Sequence, residues 1–208
     1  MKTILAYGDS LTYGSDAVVQ GRRHAYEDRW PTRLEVGLGG KARVIAEGLG
    51  GRSTAFDDFT TTADRNGARI LPTLIHSHAP LDAVAIMLGT NDMKSFVCGS
   101  ALGASRGIKR LGEIVRAEAP QAQLLLISPP HCIEPASPPL DPRFSETIAE
   151  SRQLAHHYKR VADELGCQFF DAATVAQADP ADGVHLDPAN TRAIGDALAP
   201  LVKDMLGL

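Results

Sequence analysis

Short apolar runs alternate with longer amphipathic segments along this chain, and the alternation limits the folds that it can adopt. The runs are four to six residues long, and most end at Gly, Asp, Pro or Ser, as buried strands do. Strands that alternate with helices form parallel sheets with helices on both faces. The sequence therefore predicts a three-layer α/β/α fold around a five-stranded parallel sheet, with strands at residues 3–7, 42–46, 83–88, 123–127 and 167–170.

The amphipathic segments repeat apolar residues at helical spacing, which predicts helices packed on the sheet. Pro31 suits the first turn of the first helix, since that position needs no backbone donor. Pro200 interrupts the last segment and weakens the expectation of a continuous helix there. The predicted helices cover residues 30–38, 67–78, 101–119, 144–165 and 190–206.

Polar and glycine-rich motifs follow four of the predicted strands. Gly8-Asp9-Ser10 follows the first strand, residues 48–51 follow the second, and residues 89–92 follow the third. Asp182 and His185 lie in the connection after the fifth strand. Ligands of open parallel sheets bind outside the carboxyl ends of the strands. The sequence therefore predicts that these four pieces meet on one rim.

Ser10, Asp182 and His185 are the residue types of a serine hydrolase. A serine is a poor nucleophile until a neighbouring base removes its proton, and histidine titrates near neutrality and can serve as that base. A carboxylate three residues before the histidine can fix its tautomer and orientation. The predicted catalytic residues are therefore Ser10, His185 and Asp182.

The same motifs resemble the four sequence blocks of the SGNH, or GDSL, hydrolase family. Ser10 in Gly-Asp-Ser-Leu resembles the first block, and Gly51 in Gly-Arg-Ser-Thr resembles the second. Asn91 in Gly-Thr-Asn-Asp matches the third block, and His185 with Asp182 before it matches the fourth. The blocks occur in the family's order along the whole chain, which a single Gly-Asp-Ser-Leu would not show.

The resemblance implies a flavodoxin-like fold and an oxyanion hole. Its donors would be the backbone N–H groups of Ser10 and Gly51 and the side-chain amide of Asn91. Gly51 lacks a Cβ, so its backbone can approach a ligand closely. Asp9 and Asp92 are interpreted as structural, each bonding loop backbone beside the nucleophile or Asn91.

Within the family, the chain is most similar to the small bacterial arylesterase and acyltransferase branch. The stretches that carry this likeness are Glu47-Gly48-Leu49, Asn66-Gly67-Ala68, Leu71-Pro72 and residues 86–92. The branch implies short-chain acyl esters as substrates, with acyl transfer to alcohols or hydrogen peroxide as a further activity and a homo-oligomer as an expected assembly.

The sequence gives fewer indications of the substrate pocket than of the catalytic residues. Apolar and aromatic residues flank the catalytic positions, although for Trp30 core packing is an equal alternative. A proline-rich stretch at residues 129–142 predicts a stiff loop after the fourth strand, placed to limit the acyl or alcohol side. The predicted substrate-binding residues are Leu11, Tyr13, Trp30, Val184 and Leu186.

Composition narrows the range of functions. The 208 residues suffice for one domain spanning 1–208, and the net charge of −4 argues against a nucleic-acid partner. Cys98, Cys132 and Cys167 form neither a CxxC pair nor a metal-ligand spacing, so no metal and no cofactor are predicted. No stretch approaches a membrane span or a signal peptide, and a cytoplasmic location is expected.

Three alternatives stay open at this point. The same machinery would serve a carbohydrate O-acetylesterase, or a thioesterase or lysophospholipase. A protein of the same fold without catalytic activity would act as a binding module, although the intact motifs argue against it. A second serine, Ser105, lies in a GxSxG pattern, but that motif needs a preceding strand, and Ser105 falls inside a predicted helix.

Overall fold

The molecule is built around a parallel β-sheet on which its helices pack. The computed structural model describes residues 1–136 and 147–208. Its parallel strands are β1 (Lys2–Gly8), β2 (Ala42–Gly48), β3 (Ala83–Met87), β4 (Gln123–Ser128) and β5 (Gln168–Asp171). They are ordered β2-β1-β3-β4-β5, which confirms the predicted five-stranded parallel sheet. This is the flavodoxin-like order, whose ligand crevice lies between β1 and β3.

The two faces of the sheet are covered because successive strand residues point to opposite sides. In β1, Leu5 and Tyr7 belong to one core cluster, whereas Ile4 and Ala6 belong to the other. All four side chains are fully buried, as is typical of a parallel sheet with helices on both faces. The three predicted layers follow from this alternation.

Seven α-helices are described: α1 (Ser10–Tyr13), α2 (Trp30–Gly37), α3 (Gly67–His78), α4 (Ala101–Glu118), α5 (Thr147–Ser151), α6 (Leu154–Leu165) and α7 (Pro188–Leu206). Helices α2 and α7 pack together on one face, and α3, α4 and α6 pack on the other. The short helix α1 starts directly after β1 and carries Ser10.

Two helices differ from their predicted extents. Helix α7 begins at Pro188 and continues through Pro200 to Leu206. Ile194, Leu198 and Val202 are fully buried along its inner face, and this packing outweighs the backbone bond that Pro200 cannot make. The predicted helix at residues 144–165 is instead two helices, α5 and α6, separated at residues 152–153, and residues 144–146 lie outside the described residues.

The predicted loop at residues 129–142 lies partly outside the described residues. Its described part ends at residue 136, and Ile133 donates its N–H to the Gly183 carbonyl at 2.9 Å. This bond joins the segment after β4 to the loop that contains Asp182. Within the described residues, none of the helices is long and apolar enough to cross a membrane.

Candidate active site

Ser10 is placed by the sharp change from strand to helix at the end of β1. Asp9 caps helix α1, because its carboxylate accepts the N–H of Leu11 at 2.9 Å. There is no room for a side chain at Gly8, where a Cβ would lie 2.8 Å from the carbonyl oxygen of Met87 in β3. The glycine lets β1 end tightly against β3, and the next turn presents the half-buried Ser10 on the rim.

A chain of two hydrogen bonds joins Ser10, His185 and Asp182. The Nε2 atom of His185 lies 3.0 Å from Oγ of Ser10, and its Nδ1 atom lies 2.6 Å from Oδ2 of Asp182. A carboxylate can only accept, so Nδ1 carries the proton and Nε2 accepts from the Ser10 hydroxyl. The structure thus brings together three side chains from the two ends of the sequence in the order nucleophile, base and acid.

Asp182 is itself held by backbone donors. Its Oδ1 atom accepts the N–H groups of Val184 at 2.9 Å and His185 at 2.8 Å. Partial burial would raise the pKa of Asp182, but the bond from His185, its charge and the two backbone bonds outweigh burial and lower the pKa below its ordinary value. Asp182 therefore stays ionised and orients the imidazole.

Two backbone N–H groups beside Ser10 point to no protein acceptor. Within residues 1–136 and 147–208, neither the Ser10 N–H nor the Gly51 N–H donates a hydrogen bond. Gly51 has φ +81°, a backbone conformation that residues with a side chain rarely adopt, so glycine is favoured there. Two free donors next to a nucleophile can stabilise an oxyanion.

Asn91 lies beside these donors, at the end of β3. Its Nδ2 atom donates to Oδ2 of Asp9 and to the backbone carbonyl of Arg52, both at 3.2 Å. Both amide hydrogens therefore have acceptors, at distances longer than the usual 2.9–3.0 Å or so. An oxyanion would compete for this amide with the Asp9 carboxyl group and the Arg52 carbonyl, whose hydrogen bonds to the amide are long.

Two buried carboxylates lie beneath the site. Burial raises the pKa of Asp9 to about 6, although the Leu11 N–H and the charges of His185, Arg52 and Lys94 lower it. Burial also raises the pKa of Asp92 to about 7, against the bonds from Thr54 that lower it, and the neighbouring Asp9 raises it further. As predicted, both acids bond loop backbone, since Asp92 accepts the Thr54 N–H.

Comparison with known families identifies the family of this chain. The model of the GDSL-like lipase/acylhydrolase family matches residues 6–193, a span that includes all four motifs. The chain belongs to the GDSL-like lipase/acylhydrolase family. The predicted family and its flavodoxin-like fold are thus confirmed.

Solved structures of GDSL-like hydrolases superpose on the whole chain. A carbohydrate acetylesterase family member from Sinorhizobium meliloti has a TM-score of 0.95 at 51% identity and covers 100% of both chains. A putative arylesterase from Agrobacterium tumefaciens has a TM-score of 0.92 at 50% identity, covering 99% of this chain and 100% of its own. The aryl esterase of M. smegmatis has a TM-score of 0.90 at 35% identity with the same coverage. No curated protein sequence matches the chain.

These similarities show that this GDSL-like hydrolase is an ester-hydrolysing enzyme. They also remove the alternative of a fold that serves only for binding. Among the described residues, no group of three or more His, Cys, Asp or Glu side chains is arranged to hold a metal ion.

Three of the predicted substrate-binding residues lie in the core instead. Trp30 is 0% exposed and donates its indole N–H to Thr12 Oγ1 at 3.2 Å, so it offers no surface to a ligand. Leu11 and Leu186 are 4% and 2% exposed and pack in the same cluster as Trp30. The structure thus places these three in the core that α2 and α7 cover, as the core-packing alternative for Trp30 has it.

The other two predicted pocket residues keep some surface. Val184 is 8% exposed and belongs to the opposite core cluster. Tyr13 is half-buried, and the guanidinium of Arg23 lies 3.7 Å from the centre of its ring. Neither has a contact that assigns it to a substrate, so their role stays a prediction.

Ser105, the serine of the second motif, lies within helix α4 as predicted. Its hydroxyl donates to the Leu102 carbonyl at 2.7 Å, a bond within its own helix. Among the described residues, no side chain that could act as a base is hydrogen-bonded to it.

His24 contributes to the site and was missed by sequence analysis. It is buried, and its Nε2 atom lies 2.9 Å from the carbonyl oxygen of Leu186, the residue after His185. The bond joins the loop before α2 to the loop that contains His185. A single histidine in an irregular segment has no spacing or neighbour that would mark it in a sequence.

The buried acids predict an unusual dependence of stability on pH. The pKa values of Asp9 and Asp92 are raised above 3.8, so the folded state binds more protons than the unfolded state between about pH 4 and 7. The free energy of unfolding should therefore fall as pH rises through this window, by on the order of 1–3 kcal/mol. Urea unfolding at pH 5 and pH 8 measures the change.

Asp9→Asn provides the control for this prediction. Removing one of the two acids should reduce the difference between pH 5 and pH 8, whatever the variant's absolute stability. A wild-type protein that is equally stable at pH 5 and pH 8 would contradict the raised pKa values of Asp9 and Asp92.

Proposed function

We propose that this enzyme hydrolyses esters of short acyl groups through a covalent acyl-enzyme formed on Ser10. The observation that carries the proposal is the hydrogen-bonded chain from Ser10 Oγ through His185 to Asp182, at 3.0 and 2.6 Å. Such a chain activates a serine hydroxyl without any cofactor.

In the first half of the reaction, Ser10 Oγ attacks the ester carbonyl while Nε2 of His185 takes its proton. The carbonyl oxygen becomes an oxyanion, which the N–H groups of Ser10 and Gly51 and the Asn91 amide stabilise. Asp182 stabilises the imidazolium that forms. His185 then returns the proton to the departing alcohol oxygen, and the acyl group stays on Ser10.

In the second half, water replaces the alcohol. His185 takes a proton from the water as it attacks the acyl carbonyl, and a second tetrahedral oxyanion forms in the same hole. The bond to Ser10 Oγ breaks, the serine recovers its proton from His185, and the carboxylic acid leaves.

The burial of the residues around the triad favours a short acyl group. Leu11, Val184 and Leu186 flank the catalytic positions, yet none is more than 8% exposed. An apolar chain of many carbons needs exposed apolar surface to bind, and these residues do not supply it. Acetyl and other short acyl groups do not need that surface.

The alcohol side of the substrate is proposed from the relatives. One similar structure is named a carbohydrate acetylesterase family member and two are named aryl or arylesterases. We accordingly propose acetyl esters of phenols and of sugars as substrates. Acyl transfer to alcohols, which needs water to be kept from the acyl-enzyme, stays a prediction.

A substrate panel tests this specificity. We expect kcat/KM for p-nitrophenyl esters to be highest from acetate to butyrate and to fall by about tenfold or more at octanoate, because Leu11, Val184 and Leu186 offer added methylenes little surface. Acetate release from a peracetylated sugar and from an acetyl thioester should be measured beside it. A preference for octanoate would contradict the short-acyl proposal and favour a lipase.

The nucleophile is tested by Ser10→Ala with Ser105→Ala as its matched control. Ser10→Ala should abolish turnover, with a loss of up to about a million-fold, and leave thermal unfolding nearly unchanged. Ser105→Ala should retain wild-type kinetics. A fluorophosphonate probe should label the wild type and Ser105→Ala only. Turnover by Ser10→Ala near the wild-type rate would place the nucleophile elsewhere.

The oxyanion role of Asn91 predicts a loss confined to the transition state. Asn91→Ala should lower kcat by roughly a hundred- to a thousand-fold, about 2.7–4 kcal/mol, with KM little changed. Measuring kcat, KM and the melting temperature on this variant separates catalysis from structure.

Asn66→Ala is the matched control, since Asn66 caps helix α3 by accepting the Ala68 N–H at 3.1 Å. Its loss should cost about 1 kcal/mol of stability with little change in kcat. If Asn91→Ala behaved like Asn66→Ala, the amide would hold a loop rather than the oxyanion.

We also propose a cytoplasmic location. It is supported by Cys98, Cys132 and Cys167, which are free thiols, as expected in a reducing compartment. The homo-oligomer stays a prediction.

A further inference from the structure

Arg52 lies directly beneath the candidate oxyanion hole and connects the ends of two strands. Its Nη1 atom donates to the Gly8 carbonyl at 2.8 Å and also to the Glu47 carbonyl. Gly8 is the last residue of β1, and Glu47 is the next-to-last residue of β2. Both carbonyls therefore lie just before the chain turns toward Ser10 and toward Gly51. One guanidinium group therefore sets the relative position of both turns.

The backbone of Arg52 contacts the remaining parts of the hole. Its N–H donates to the Leu49 carbonyl at 3.0 Å and closes the turn that holds Gly51 at φ +81°. Its carbonyl accepts the Asn91 amide at 3.2 Å. Arg52 is therefore connected to all three proposed oxyanion donors. Ser10 lies two residues after Gly8, whose carbonyl Arg52 bonds, Gly51 directly precedes Arg52, and Asn91 donates to the Arg52 carbonyl.

Burying this cation is costly. Arg52 is 4% exposed, its guanidinium lies 4.2 Å from the centre of the Tyr7 ring, and its buried Nε has no hydrogen-bond partner among the described residues. Burial lowers the pKa of Arg52, whereas Tyr7, Glu47 and Asp9 raise it. Apolar side chains usually stabilise a core as well as a buried charge does, so stability alone gives little reason for an arginine here.

We propose that Arg52 is a positioning residue of the oxyanion hole. Its Nη1 atom bonds the ends of β1 and β2 at the same time, so the N–H groups of Ser10 and Gly51 face one point, and its carbonyl directs the Asn91 amide toward that point. The proposal rests on the acyl-enzyme mechanism proposed above. It explains the arginine by geometry, because a planar guanidinium that stacks on the Tyr7 ring is held in one orientation, which a flexible ammonium group is not.

Arg52→Lys and Arg52→Met separate geometry from charge. Both should lower kcat, by about tenfold or more for Arg52→Lys and about a hundredfold for Arg52→Met, with KM changed less than about threefold, because misplaced donors act only on the transition state. Melting temperatures should be measured on the same preparations. If Arg52→Met fails to fold, Arg52→Lys, which keeps the charge, carries the same measurements.

Arg116 offers a matched control. Its Nη2 atom also donates to two backbone carbonyls, those of Leu165 and Gly166, at 3.3 and 3.2 Å, but these precede β5 at the amino ends of the strands, whereas the site lies at their carboxyl ends. Arg116→Lys and Arg116→Met should therefore change stability without changing kcat.

A double-mutant cycle with Asn91→Ala gives the decisive measurement. If Arg52 acts through the oxyanion donors, its substitution should cost much less in kcat once Asn91 is alanine, so the two losses should not multiply. Losses that multiply, or kcat within about threefold of wild type in both Arg52 variants, would overturn the proposal. Turnover by Ser10→Ala would instead refute the acyl-enzyme mechanism, so the two failures are distinguishable.

Discussion

Strand β1 is hydrogen-bonded to β2 on one side and to β3 on the other, and the site depends on this central position. Ser10 leaves the end of β1, Gly51 follows β2 and Asn91 follows β3, so the nucleophile lies between its proposed oxyanion donors. The pairing of Gly8 with Gly48 and with Met87 sets the three ends level. The crevice at the change in strand order is where such sheets bind ligands.

The closely packed backbone at the site is accompanied by buried ionisable side chains. Asp9, Asp92 and Arg52 lie almost wholly out of water under the rim. The two carboxylates accept the N–H groups of Leu11 and Thr54, and the arginine donates to the carbonyls at the ends of β1 and β2. Burial raises the pKa of both acids, and the nearby arginine, lysine and histidine lower that of Asp9. The rim is therefore a polar network supported by an apolar sheet, and its rigidity is obtained at a cost in stability near neutral pH.

Secondary structure followed well from periodicity, and the exceptions have physical causes. Helix α7 continues through Pro200 because its inner face is buried along its length, which a local rule about proline does not include. Leu11, Trp30 and Leu186 were predicted to line the substrate pocket. They lie in the core instead, because helices α2 and α7 cover that face of the sheet.

The sequence by itself determined the sheet, the family and the identity of the motif residues, since these depend on periodicity and on short local patterns. Only the tertiary structure decided what those residues contact. The bond from His24 to Leu186 joins residues 162 apart, and the guanidinium of Arg52 lies 44 residues from Gly8. Such contacts arise from the order of strands and the packing of loops, so no local pattern records them.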